Sequence, residues 1–149
     1  MPNIQKVELK SKTIYGLQTR TKNADEMTPA SQKIAPLWGR FYNEVLPTLG
    51  EGTTVYGVYY NYESDATGMF DVLAGSEQEG EALASVTLEE GRYLKFPVKG
   101  EMPQAIIDAW VKVWAYFDDP SIDEKRAYET DFEVYKSADE AEIYIGVNY

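Results

Sequence analysis

The chain has 149 residues, with 14 Lys and Arg against 25 Asp and Glu, no His and no Cys, so its formal net charge is −11. The missing residue types exclude thiol nucleophiles, imidazole bases, Ser-His-Asp and Cys-His machinery, zinc fingers, iron–sulfur clusters and His-ligated haem. A chain of this length buries roughly 68–70% of the surface its unfolded form exposes, and 44% hydrophobic residues is ordinary for a globular chain that folds without metal or disulfide. Chemistry falls to carboxylates, Tyr, Ser, Thr or Lys, and no metal or cofactor is expected. The acidic balance argues against nucleic acid as a direct partner and favours cations by sign. The opening Met1-Pro2-Asn3-Ile4-Gln5-Lys6 lacks the apolar run of a signal peptide, and nowhere do about 18 apolar residues follow one another. A cytoplasmic chain with no membrane partner is expected. Tyr occurs 12 times, beside 5 Phe and 3 Trp; since each ring buries about 150–250 Å², most are expected in the core.

Val7, Leu9, Ile14 and Leu17 predict an opening strand or strand pair over about residues 4 to 19, broken near Ser11-Lys12. Asn23-Ala24-Asp25 reads as a loop. Thr28-Pro29 then has the form of a helix cap with proline at the first helical position, and Ile34, Leu37, Trp38, Phe41 and Val45 recur on one helical face. Pro36 falls early in that stretch, so either the first turn kinks or the regular helix begins there. Pro47 and Gly50-Glu51-Gly52 end it. Residues 54 to 62 are β-branched and aromatic enough for a strand, Glu63-Ser64-Asp65 turns it, residues 68 to 75 supply a hairpin partner, and residues 76 to 81 connect onward.

The second half repeats this pattern. Val86, Leu88, Tyr93, Leu94, Phe96 and Val98 are strand material interrupted at Glu90-Gly91, and Pro103 opens a helix with apolar Ile106, Ile107, Trp110, Val113, Trp114 and Phe117. The acidic loop Asp118 to Glu124 precedes a hairpin over residues 127 to 135 and 140 to 147. An offset of 72 places Ile34 on Ile106, Trp38 on Trp110, Phe41 on Val113 and Val45 on Phe117. The strands follow at about the same offset with a one-residue slip, and Val7-x-Leu9 is similar to Val86-x-Leu88. Two β-α-β-β units, about 1–78 and 79–149, predict an α+β chain with pseudo-two-fold symmetry and two sheets meeting or facing at the axis.

Two motifs fail on their surroundings. Gly50-Glu51-Gly52 meets Val55 where a dinucleotide fingerprint needs a third small residue, and a strand follows where a helix must. Asp118, Asp119, Asp123 and Glu124 lack the alternating ligands and central Gly of an EF-hand. The segment from Tyr128 to Tyr135 says more. As a strand it places Tyr128, Thr130, Phe132 and Val134 on one side and Glu129, Asp131, Glu133 and Tyr135 on the other. The apolar pair Phe132 and Val134 is expected to face the helices. The acidic side is then either wet surface or the wall of a pocket that selects positive charge.

The paired units, the Ile34-x-x-Leu37-Trp38-x-x-Phe41 helix, and Asp131-Phe132-Glu133-Val134-Tyr135 followed by Ala141-Glu142-Ile143-Tyr144-Ile145 together resemble the GyrI-like family. That family holds tandem SHS2-like repeats around a central ligand groove, and includes effector-binding domains of AraC-type and BmrR-type multidrug regulators. The resemblance spans essentially the whole chain. It is closest in kind to standalone members, including those on mobile integron cassettes, because no residues remain for a DNA reader. It implies a groove for lipophilic cations with a buried acid at Glu133 and Tyr135 beside it. Tyr60 and Tyr62 are their first-unit counterparts by repetition, and Trp38 and Trp110 are candidates to stack on a ligand or to serve the core. Physics agrees with a cation role, since a desolvated carboxylate and aromatic faces both attract a weakly hydrated cation.

Three functions follow. The first is a binding module for lipophilic or amphipathic cations, sequestering them or sensing for a partner. The second is hydrolysis of electrophilic, cyclopropane-type toxins, which some relatives perform, with Glu133 and Tyr135 positioning water and a proton. The third is inhibition of a nucleic-acid-binding protein such as gyrase by an acidic surface. An exposed edge strand would also allow a homodimer or another protein partner.

Overall fold

A computed structural model describes residues 4–49, 53–64, 68–80, 83–102, 104–137 and 139–148. Gly50-Glu51-Gly52, Asp65, Glu81 and Pro103 lie outside the described residues, with the terminating and helix-opening roles expected of them. The β-branched and aromatic runs form β1 (Gln5–Leu9), β2 (Lys12–Lys22), β3 (Val55–Tyr60), β4 (Met69–Ser76), β5 (Ala84–Leu88), β6 (Gly91–Lys99), β7 (Lys125–Ser137) and β8 (Glu140–Asn148). All pair antiparallel in one sheet of order β1-β6-β8-β7-β3-β4-β2-β5. Exchanging the first four strands for the last four reads this order backwards, which places a pseudo-two-fold between the central pair β3 and β7. Each half therefore has two strands before its helix, and the halves exchange edges: β1 pairs with β6, and β5 with β2. Val7-x-Leu9 and Val86-x-Leu88 mark those two edges. The halves meet in one continuous sheet and do not face one another as two.

The two faces of the sheet bury their apolar residues differently. On one face, Leu37, Phe41 and Val45 of the first helical segment cover Phe70, Val72 and Ala74, while Ile106 and Val113 of the second cover Leu94, Phe96, Ile143 and Ile145. On the other face Ile14, Val58, Leu73, Tyr93 and Phe132 cluster with Val7 and Leu9 of one edge strand and Val86 of the opposite edge. Residues seven strands apart touch one core only if the sheet curls, as it must where no helix is available to cover an apolar face. Gly16 and Gly75 permit the curl: a Cβ at either would stand 1.9 or 2.0 Å from the carbonyl oxygen of Ala74 or Tyr15. Phe132 and Val134 face this curled interior. The expectation that they face the helices is corrected, because the curl supplies an apolar core of its own and turns the acidic side of β7 toward the helices.

The first helical segment is broken. A short helix α1 (Asn23–Glu26) stands where a loop was expected, and a single 3-10 turn occupies Pro29–Ser31. The main helix α2 (Ile34–Arg40) starts later than Thr28 because its cap is remote. The Glu26 carboxylate, held by the Thr21 hydroxyl at 2.7 Å, accepts the backbone N–H groups of Lys33 at 2.9 Å and Ile34 at 3.1 Å. It meets orphan donors and the positive helix end together. Pro36 fits in the first turn, where its missing N–H is no loss. A π-helical turn, Phe41–Val45, continues the chain and keeps both of those residues buried. In α3 (Gln104–Asp118) Ile106 and Val113 are buried, whereas Ile107 is 52% exposed and leaves the core-facing stripe. No described helix is long and apolar enough to cross a membrane.

Candidate functional site

Strand alternation on β7 presents Asp131, Glu133 and Tyr135 to the helix-covered face, and pairing with β3 sets Tyr59, Gly57 and Val55 opposite them. The helices bring Trp38 and Trp110 onto the same ground, so the offset of 72 between them has a structural meaning. Glu133 is 2% exposed. Its Oε2 accepts hydrogen bonds from the Trp110 indole N–H at 2.5 Å and the Tyr59 hydroxyl at 2.9 Å, and its Oε1 from the Tyr135 hydroxyl at 2.7 Å. Trp38 packs edge-on against Tyr135 at 5.5 Å and lies 5.8 Å from the half-exposed Tyr42 ring, while Tyr59 meets Trp110 edge-on at 5.1 Å. The carboxylate thus sits in an aromatic box whose polar contacts, among the described residues, are all neutral donors.

Burial pushes the Glu133 carboxyl above the usual range, and the bonds from Trp110, Tyr135 and Tyr59 only partly offset it. Burial, reinforced by the Glu133 charge, also holds the Tyr59 and Tyr135 phenols well above their ordinary value. They remain donors at any physiological pH.

Two residues along the strand, Asp131 is solved differently. Its carboxylate, fully buried, pairs with Arg126 Nη2 at 2.7 Å and accepts from the Tyr62 hydroxyl at 2.6 Å and the Gly146 N–H at 2.9 Å. The Arg126 guanidinium stacks over Tyr128 at 4.6 Å and Tyr62 at 5.8 Å. Tyr128 holds its ring there from a left-handed backbone, φ 54°, inside an irregularity of β7 between Arg126 and Asp131. The chain fills this second aromatic and acidic box with its own cation.

Of the residues singled out in the sequence, Glu133, Tyr135, Trp38 and Trp110 come together. Tyr62 belongs to the Asp131 cluster. Tyr60 packs on the curled interior face and is pushed up to about 12 by burial and the nearby Asp71 charge. The residue that reaches Glu133 is its neighbour Tyr59. Glu129, expected on the acidic face, is exposed and lines a separate cleft of about 360 Å³ with Glu89, Glu90, Tyr93 and Thr130, because the irregular stretch at Tyr128 breaks the alternation. Sequence reasoning also missed Gly57, whose only signal was a glycine in the middle of a strongly β-prone run.

The chain is similar to known proteins over most of its length. The family model for Cass2, the integron-associated effector binding protein, matches residues 7–147. An integron cassette protein from the mobile metagenome of Vibrio cholerae is 44% identical, with a TM-score of 0.91 over 97% of this chain and 95% of that one. SAV2435, solved bound to tetraphenylphosphonium, shares the fold at 21% identity and a TM-score of 0.75, over 98% of this chain and 94% of that one. YobU of Bacillus subtilis, which carries a transcriptional-regulator name, is 25% identical over 134 residues, 83% of this chain and 81% of YobU. With the family model matched over residues 7–147 and a 44% identical relative covered almost throughout, the chain belongs to the Cass2 family of integron-associated effector binding proteins.

Proposed function

We propose that this effector-binding chain takes lipophilic cations, and that Glu133 supplies the countercharge. One observation carries the reading. Four buried acids occur among the described residues, Asp71, Glu124, Asp131 and Glu133. Arg20, Lys6 and Arg126 pair with the first three, and no described ion pair includes Glu133. A buried carboxylate held only by neutral donors keeps a strong attraction for a cation, which is unspent until one arrives. Aromatic walls from Trp38, Tyr42, Tyr59, Trp110 and Tyr135 favour a cation that is large and weakly hydrated. About four lone-pair positions exist on a carboxylate, and three are taken. A primary ammonium, which needs several acceptors, is matched poorly, whereas a phosphonium or quaternary ammonium needs none. The tetraphenylphosphonium complex of SAV2435 supports the reading, since a chain of the same fold accommodates such an ion. Sequestration of the cation, or sensing it for a separate regulator, is the use that follows.

The test is a thermal-shift and tryptophan-quenching screen with lipophilic cations, neutral aromatic analogues and simple salts. Stabilisation growing as RT ln(1 + [L]/Kd) for lipophilic cations, with quenching, is expected. Stabilisation by neutral analogues alone, or by none of the compounds, would overturn the proposal.

A further inference from the structure

Gly57 occupies the central strand β3, in register with Glu133 on β7. A glycine inside a strand weakens it unless something must come close. Gly57 is not among the residues with positive φ, so its backbone conformation does not demand glycine. Space does. A Cβ built there would lie 2.7 Å from Glu133 Oε1 and 2.9 Å from Trp38 Cζ2, both inside any real contact distance. The carboxylate and the indole from α2 therefore share the hollow that the missing side chain leaves. Among the described residues, Oε1 has Tyr135 as its one hydrogen-bond donor.

We infer that Gly57 is a specificity-determining position: by having no side chain it seats the Glu133 carboxylate against Trp38, and cation preference depends on that seat. The inference rests on the cation-binding role of Glu133. A methyl group at this position displaces the carboxylate from the hollow, stretches its bonds to Trp110 and Tyr59, and tilts the Trp38 ring away. The charge remains but no longer stands where the aromatic walls place a cation.

The experiment uses the full chain with Gly57→Ala, Glu133→Asp, the double variant, and Gly39→Ala as control. Gly39 is exposed on α2 next to Trp38, and a Cβ there meets nothing within 4 Å. Tetraphenylphosphonium and a neutral triphenyl analogue are the probes, and the Trp110 indole N–H resonance reports the seat without ligand. Gly57→Ala is expected to weaken phosphonium binding about tenfold with the neutral analogue within twofold, and to move the indole resonance toward that of an exposed tryptophan. Gly39→Ala changes neither. Glu133→Asp withdraws the carboxylate by one methylene and leaves only the Trp38 contact, so in that background the added methyl costs less, about threefold or under. Equal losses in both backgrounds, equal losses for both probes, or an unmoved indole resonance would each overturn the inference. If the native chain binds no phosphonium while Gly57→Ala still moves the resonance, the cation reading falls and the positioning role of Gly57 stands alone. Should Gly57→Ala fail to fold, the double variant still decides. A folded double variant shows that the carboxylate was the obstacle; an unfolded one leaves Trp38 as the obstacle and refutes the seating of Glu133.

Discussion

Replacing Glu133 by Gln keeps the shape of the box and removes its charge. The amide oxygen must take the Oε2 place, because the Trp110 indole can only donate. The amide nitrogen then faces Tyr135, whose hydroxyl turns to accept in place of donating. The bonds to Trp110, Tyr59 and Tyr135 keep their partners, and removal of a buried charge offsets the one amide N–H left without an acceptor, so the variant folds with little change in stability near neutral pH. The effect on a cation is different. A bulky cation whose charge comes within about 5 Å of the carboxylate gains about 3 kcal/mol at an effective dielectric of about 20. Losing it raises Kd roughly a hundredfold. Isothermal titration of both proteins with tetraphenylphosphonium and with a neutral triphenyl analogue measures this. The phosphonium is expected to weaken by about two orders of magnitude and the neutral compound by less than about threefold. Equal weakening of both would show that Glu133 shapes the box without acting through its charge, and an unchanged phosphonium affinity would refute the reasoning outright.

Other outcomes follow from the same geometry. Since burial raises the Glu133 carboxyl, the folded state holds a proton there that the unfolded chain has already released. The stabilising contribution of this group is full below the ordinary Glu range and is lost as pH climbs through the raised value, while cation affinity climbs over the same window. Denaturant melts and titrations against pH check this, and both slopes flatten in Glu133→Gln. Tyr59→Phe removes a donor to Glu133 and is expected to change phosphonium affinity, whereas Tyr60→Phe, on the curled interior face, leaves it within about twofold by titration. Arg126→Met leaves Asp131 buried without its cation, and urea unfolding is expected to show about 3–5 kcal/mol of lost stability. Asp131→Asn in that background restores much of it.

The sequence carried the helices and the acid, and it lost the register. The matching stripes of Trp38 and Trp110 were legible because a helical period survives whatever packs on it. Alternation put Asp131, Glu133 and Tyr135 on one face, and the resemblance to the GyrI-like family singled out Glu133 among the acids there. Tyr59 was not, since the two halves do not keep one offset through their strands. The irregular stretch between Arg126 and Asp131 shifts β7 against β8 while β7 and β3 pair without a break, and a slip of one residue moves a side chain to the opposite face. The exchange of β1 and β5 between halves was equally hidden, because which strand a five-residue edge joins is decided by the curl and not by its own residues. Gly57 was visible only as an oddity. Its meaning needs Glu133 and Trp38 in place above it. The apolar pair Phe132 and Val134 was assigned to the helix side because helices usually cover apolar strands; a sheet that curls on itself has no such need.

If the buried carboxylate in its aromatic box makes this chain a receptor for lipophilic cations, the sign of a ligand's charge decides whether it binds. Tetraphenylphosphonium and tetraphenylborate have nearly the same size and shape and opposite charge, so titrating the native protein with both isolates the sign. Saturable one-to-one binding of the phosphonium is expected, with quenching of tryptophan fluorescence and no comparable binding of the borate. Equal affinity for the two ions, or tighter binding of the borate, would contradict it.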